Sequence, residues 1–243
     1  MGTGRLIAFI IITTALLNSS LKAQELIDTA EFRNKWYQSE LARVTLAPAA
    51  LITGSLLLFD TDGGDHTIIH DIPGFESSLD DYLQFAPIPL VYSLDLIGVE
   101  SRNDVLNQSL LLLKSELLML VLVHPLKHLT SVPRPDGSGD LSFPSGHTAQ
   151  AFVSATFMHK EFGRTSIWYS IGAYAMASTT GIFRILKNKH RLTDVLMGAG
   201  LGILATNIVY ATHQNRWGRE ERKYSLLPMY RDKSLGLHLQ LRL

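Results

Sequence analysis

Apolar residues run along this chain in blocks of helical length, and strand-like alternation is nearly absent before the C-terminus. Residues 44–59, 87–99, 105–123, 146–158, 166–186 and 192–212 predict six helices, joined by short connections that are polar or marked by Gly and Pro. Residues 24–43 read as a polar, partly amphipathic lead-in helix. The period changes only at the end. Leu235, Leu237, Leu239, Leu241 and Leu243 alternate with Gly236, His238, Gln240 and Arg242, which predicts a strand, and residues 225–230 could pair with it as a hairpin. That ending resembles the last strand of an outer-membrane barrel, but one hairpin closes no barrel, and a surface or docking hairpin is the simpler reading. The expected fold class is all-α, a six-helix bundle with a short C-terminal strand element.

Three of the helices approach the roughly 20 apolar residues that cross a bilayer. Lys114 and Glu116 interrupt one of them, and Asp95 interrupts a shorter helix, so each charge would need a polar interior to face. A wet bundle in the membrane and a soluble or peripheral bundle both stay open. The N-terminus adds an export signal: Arg5, an apolar run over residues 6–17, and a small-polar stretch leading to Ala23. The organisation is then a signal peptide (1–23), the lead-in helix (24–43), a catalytic domain (44–213) and a tail (214–243). An uncleaved anchor is the rival reading.

Composition narrows the chemistry. The 243 residues carry 22 basic and 22 acidic side chains, which gives no reason to expect a nucleic-acid partner, and nothing points to an obligate protein partner. There is no cysteine, which excludes disulfides, thiolate metal sites and cysteine-based phosphate transfer. The charges are unevenly placed. Residues 60–81 hold six aspartates and a glutamate with no Lys or Arg, while Arg33, Lys35, Arg43, Arg216, Arg219, Arg222 and Lys223 flank the helices. If the helices span, the positive-inside tendency puts the acidic loop and Lys127 outside, facing the periplasm. A cleaved signal followed by six crossings would place the same site in the cytoplasm, and the sequence leaves that conflict standing.

Three stretches carry a phosphate-handling pattern: Lys127-x6-Arg134-Pro135, Pro144-Ser145-Gly146-His147 and Arg184-x5-His190-x3-Asp194. Lys127, Arg134 and Arg184 supply three cations, and guanidinium forks match phosphate oxygens. Ser145 and the Gly146 backbone N–H add neutral donors. His190 and His147 suit a nucleophile and a general acid near neutral pH, and Asp194 lies one helical turn from His190, where it can orient an imidazole. In an up-and-down bundle the ends of the helices bearing these stretches lie on one side. Singly each motif is weak; in this order and spacing they point to one anion cradle.

Together they resemble the three-part signature of the type 2 phosphatidic acid phosphatase and haloperoxidase superfamily, over roughly residues 80–210. Asp80-Asp81-Tyr82-Leu83-Gln84 and Phe143 to Ala149 are similar to exported bacterial members. The resemblance implies that His190 attacks phosphorus to give a phosphohistidine, Asp194 fixes its tautomer, and His147 protonates the leaving alkoxide and then activates water. Lys127, Arg134, Ser145, Gly146 and Arg184 would hold the phosphoryl oxygens, with no metal and no cofactor. One position departs: Phe183 stands where the family usually has Ser before the arginine, which removes a hydroxyl but no charge.

The expected function is a metal-independent phosphatase acting on an envelope lipid, such as phosphatidylglycerophosphate, phosphatidic acid, undecaprenyl diphosphate or lipid A. The expected location is an inner membrane with the site facing the periplasm, or a soluble or peripheral place in the periplasm. Alternatives are a soluble acid phosphatase for small esters, a vanadate haloperoxidase and an inactive envelope scaffold. His124 and His128 have the spacing of zinc ligands but no accompanying Glu, and residues 60–65 match a calcium loop in composition only. His66 and His70 read as surface residues of that loop, and His159, His213 and His238 as polar-face residues. Lys114 and Glu116 do not read as a pair.

Overall fold

The computed structural model describes residues 40–59, 72, 74–213, 224–231 and 234–241, with side chains over 44–59, 72 and 74–213. The signal peptide, most of the lead-in helix, and the acidic stretch and the tail over residues 60–71 and 214–223 lie outside them. Seven helices follow in order among the described residues: α1 (Glu40–Leu57), α2 (Leu79–Leu83), α3 (Pro87–Leu96), α4 (Val105–Thr130), α5 (Gly146–Phe162), α6 (Ile167–Leu186) and α7 (Leu192–Thr212). Two antiparallel strands, β1 (Tyr224–Arg231) and β2 (Ser234–Leu241), pair with Tyr224 opposite Leu241 and Arg231 opposite Ser234.

The fold is all-helical in its body, with one helix more than the pattern predicts. The addition, α2, is a five-residue helix that overlaps the end of the predicted acidic loop (60–81). It is too short to show a helical period, and only its Asp80 is buried. Helix α4 also runs to Thr130 rather than 123, straight through Pro125, before Ser131 closes it in the left-handed region at φ 45°.

Helix α5 sits at the centre because both of its faces are apolar. Ala149 and Val153 join Met119, Val123 and Leu126 of α4 and Met197, Leu201 and Ala205 of α7 in one core. Ala151, Ala155, Phe157 and Phe162 join Val91 of α3 and Ala173 and Ala177 of α6 in a second. Glycines let α7 approach from two sides. A Cβ on Gly198 would lie 2.5 Å from the Ser145 carbonyl oxygen and one on Gly202 2.4 Å from that of Ala149, so α5 and α7 meet backbone to backbone. Gly200, on the other side of α7, does the same for α1, where a Cβ would lie 2.6 Å from Ile52 Cγ1.

Among the described residues, two helices, α4 and α7, are long and apolar enough to cross a membrane. Their surroundings differ. The apolar window of α7 is 61% buried in the protein, whereas that of α4 is only 28% buried. Leu113, Leu117, Leu120 and Val121 on α4 face outward, and Ile167, Trp168 and Ile171 on α6 are likewise exposed. A 26-residue helix is about 39 Å long, enough to span the roughly 30 Å hydrocarbon core.

Candidate functional site

The C-terminal ends of α4 and α6 and the N-terminal ends of α5 and α7 meet at one end of the bundle. Direct contacts show it: the Ser145 backbone N–H donates to the Asp194 carbonyl at 2.9 Å, and a Cβ on Gly146 would lie 3.7 Å from Lys127 Cε. The three sequence motifs are therefore brought together.

His190 lies in the turn between α6 and α7 and is 3% exposed. Its Nδ1 is 3.4 Å from Asp194 Oδ2. The same oxygen accepts the Arg191 backbone N–H at 2.9 Å and the Ser142 hydroxyl at 2.5 Å. Asp194 is the third residue of α7, so its carboxylate satisfies a helix-terminal N–H while facing the imidazole. With Nδ1 turned to the carboxylate, Nε2 is the ring nitrogen left to carry a lone pair. Burial pushes the His190 pKa down to about 4 against the opposing pull of Asp194, with Arg184 and Lys127 adding to the depression. The imidazole is thus neutral above about pH 4, the state a nucleophile needs.

Ser142 is a residue the motifs do not contain. It is fully buried, and its Oγ stands 3.3 Å from His190 Nδ1 as well as bonding Asp194. A lone loop serine two positions before Pro144 carries no periodic or spacing signal, so only the fold reveals it.

Around this pair stand the cations. Lys127 Nζ donates to the Leu141 carbonyl at 2.8 Å. Arg184 is 6% exposed, and its Nη1 donates to Asp80 Oδ2 at 3.1 Å. Arg134 is placed by a tight loop in which its N–H bonds the Gly139 carbonyl at 2.8 Å. The Nε atoms of Arg134 and Arg184 are both buried with no hydrogen-bond partner among the described residues. Buried donors are almost always paired, so two guanidinium N–H groups without protein acceptors mark a place for an anionic ligand.

Ser145 and Gly146 open α5. The Ser145 Oγ caps the helix by accepting from the Thr148 backbone at 3.4 Å and from Thr148 Oγ1 at 2.9 Å, which leaves its own proton free to donate. Gly146, in the first helical turn, keeps an N–H outside the helical ladder. His147 is more open than His190, and its Nε2 lies 3.0 Å from Asp81 Oδ1.

The other histidines behave differently. His124 and His128 are exposed on α4. His159 Nδ1 meets Ser170 Oγ at 2.8 Å, and His213 joins Lys114 Nζ at 3.2 Å to Asn107 Oδ1 at 3.0 Å. Both of these have defined partners that the sequence pattern does not indicate. Lys114 and Glu116 point to different neighbours, Glu116 accepting from Gln150. Among the described residues, no group of three or more His, Asp or Glu is placed to hold a metal ion.

Comparison with known proteins bears on the same region. Residues 108–218 match the model of the PAP2 superfamily. A lipid A 1-phosphatase of Porphyromonas gingivalis is 37% identical over 165 residues, covering 66% of this chain and 36% of the relative. The chain thus spans about a third of the length of that relative. Among solved structures, LpxE from Aquifex aeolicus is 25% identical with a TM-score of 0.42, covering 57% of this chain and 89% of that one. A transmembrane PAP2-type phosphatidylglycerolphosphate phosphatase from Bacillus subtilis is 21% identical with a TM-score of 0.37, covering 86% and 94%. Both superpositions are loose, and the fold stands on the helices described above.

Proposed function

We propose, from the match of residues 108–218 to the PAP2 superfamily model, that this protein is a metal-independent phosphatase of an envelope lipid, working through a phosphohistidine on His190. The observation that supports it most is a buried His190 set against Asp194, with two buried guanidinium N–H donors in the same site that no group among the described residues satisfies.

In this reading, Lys127, Arg134 and Arg184, with Ser145 and the Gly146 N–H, hold the three equatorial oxygens of the phosphoryl group. His190 Nε2 attacks phosphorus, the N–P bond forms and the P–O bond to the lipid breaks. Asp194 stabilises the positive charge that the ring acquires. His147 gives its proton to the departing alkoxide, then takes one from water, which attacks phosphorus and releases inorganic phosphate and free His190. Fixed cations stabilise the transition-state charge throughout.

The outward apolar faces of α4 and α6 favour a lipid substrate presented at a bilayer over a small soluble ester. The identity to a lipid A 1-phosphatase makes a glycolipid phosphate the first candidate to assay. The mouth is proposed to face the periplasm, supported by the export-signal pattern and by the basic flanks of the helical region. Cysteine introduced at the exposed Asp140, between the first two motifs, should react with an impermeant thiol reagent in intact cells. Labelling only after the inner membrane is broken would reverse the orientation.

The test of the activity is release of phosphate from lipid phosphates by the purified full chain in excess chelator. Turnover should persist there and be inhibited by vanadate. Activity that vanishes in chelator and returns with magnesium or zinc would reject the mechanism.

A further inference from the structure

The two histidines of the site are each met by a carboxylate, but only one of those carboxylates belongs to the three-part signature. His147 Nε2 lies 3.0 Å from Asp81 Oδ1, and Asp81 comes from α2, 66 residues earlier in the chain. A half-exposed carboxylate near a histidine carries little meaning by itself, because exposed pairs are weak. What surrounds this one is different.

The segment carrying Asp81 is fastened to the end of α6 at four points. Asp80, fully buried, accepts from Arg184 Nη1 at 3.1 Å and from Lys187 Nζ at 2.9 Å. Lys187 also donates to the Ser77 carbonyl at 2.7 Å. The Ile72 backbone N–H donates to the Leu186 carbonyl at 3.2 Å. Phe75 meets Phe183 edge to face, with centroids 5.2 Å apart and planes at 82°. Phe183 is the residue that departs from the family pattern, and here its ring supplies a fastening that a serine could not. Two of these ties share Lys187, and together they hold Ile72, Phe75, Ser77 and Asp80 against the end of α6. They set the position of Asp81 against His147.

We propose that Asp81 is a positioning residue for His147, holding its imidazole through Nε2 as the leaving-group acid, and that α2 is anchored on α6 by Asp80 and Phe75 to present it. This rests on the proposed phosphatase reading and adds to it a second histidine–carboxylate pair. The charges facing His147 work against each other. Burial and Arg184 of α6 push its pKa down, and Asp81 and Asp80 of α2 push it up, while Lys127 of α4 approaches at the neighbouring Gly146. Removing the Asp81 charge therefore moves His147 further toward its neutral form, and less of the acid is present at a given pH.

The test compares the wild-type full chain with Asp81→Asn and Asp81→Glu, using an alkyl lipid phosphate and a nitrophenyl phosphate. With the alkyl substrate, Asp81→Asn should lose about tenfold in kcat at neutral pH. The alkaline limb of its rate profile should shift to lower pH, and the NMR titration of His147 should shift the same way. With nitrophenolate, which leaves without a proton, the loss should be less than about twofold. Asp81→Glu should recover part of the alkyl activity. An equal loss on both substrates, or an alkaline limb and a His147 titration that do not move, would overturn the proposal while leaving the phosphatase reading intact. A wild-type chain inactive on every phosphate would overturn the phosphatase reading, and the NMR titration would still decide whether Asp81 governs His147.

Discussion

The two histidine–carboxylate pairs of the site are built on different principles. His190 and Asp194 are one helical turn apart, both almost fully buried, and held by Ser142 and a helix-terminal N–H. His147 and Asp81 lie far apart in sequence and are partly open, joined because a short helix is fastened to α6. A nucleophile must be kept neutral and fixed in one tautomer, which burial and a local carboxylate do. A leaving-group acid must reach substrate and exchange protons with water, which requires exposure. The difference between the pairs fits the two jobs proposed for them.

Disrupting the buried pair should have the largest effect. Asp194→Asn keeps the shape but leaves a neutral partner that cannot balance an imidazolium, and kcat should fall by about a thousandfold or more on both alkyl and nitrophenyl substrates. A loss confined to alkyl substrates would mean that the two pairs have exchanged roles. In the wild type, the acid limb of kcat/KM should lie near pH 4 rather than near 6.5, because burial holds His190 neutral. A limb at the ordinary histidine value would show that the nucleophile is solvated.

The cradle comes next. Arg134→Lys keeps the charge but cannot present a planar fork, and kcat/KM should fall by about ten- to a hundredfold with both leaving groups. Undiminished activity would mean that Arg134 acts as a point charge only.

How much of this could be read in the sequence depended on range. Local spacing was informative: the i to i+4 step of His190 and Asp194 and the glycine and serine before His147 are visible as patterns, and helical parity indicated which ends would meet. The helices of the body likewise show in their apolar blocks. Ser142 and Lys187 do not show, and Asp80 and Asp81 show only within a stretch of family resemblance without their partners, because those partners lie 48 to 110 residues away and a single polar side chain in a loop has no period. Helix α2 does not show either, because five residues are shorter than two turns and carry no helical period. Phe183 was legible only as a departure, and the fold supplies its partner, Phe75.

The smallest expected effect concerns the scaffold shared by both pairs. Gly198→Ala places a Cβ 2.5 Å from the Ser145 carbonyl oxygen, backbone that cannot rotate away, and should cost about 1–3 kcal/mol in stability by denaturant unfolding. Gly172→Ala on α6 meets no heavy atom within 4 Å and should be neutral or stabilising by up to about 1 kcal/mol. Equal behaviour of the two would mean that α5 and α7 are not in backbone contact.

The central claim is that phosphate passes through His190. The direct measurement is to quench the full chain during turnover of a labelled lipid phosphate under alkaline conditions, where a phosphoramidate survives, and to map the label. The account predicts an acid-labile phosphoryl group on His190 in the wild type and none in His190→Ala, which should also be inactive. A phosphoenzyme that persists in His190→Ala would contradict it.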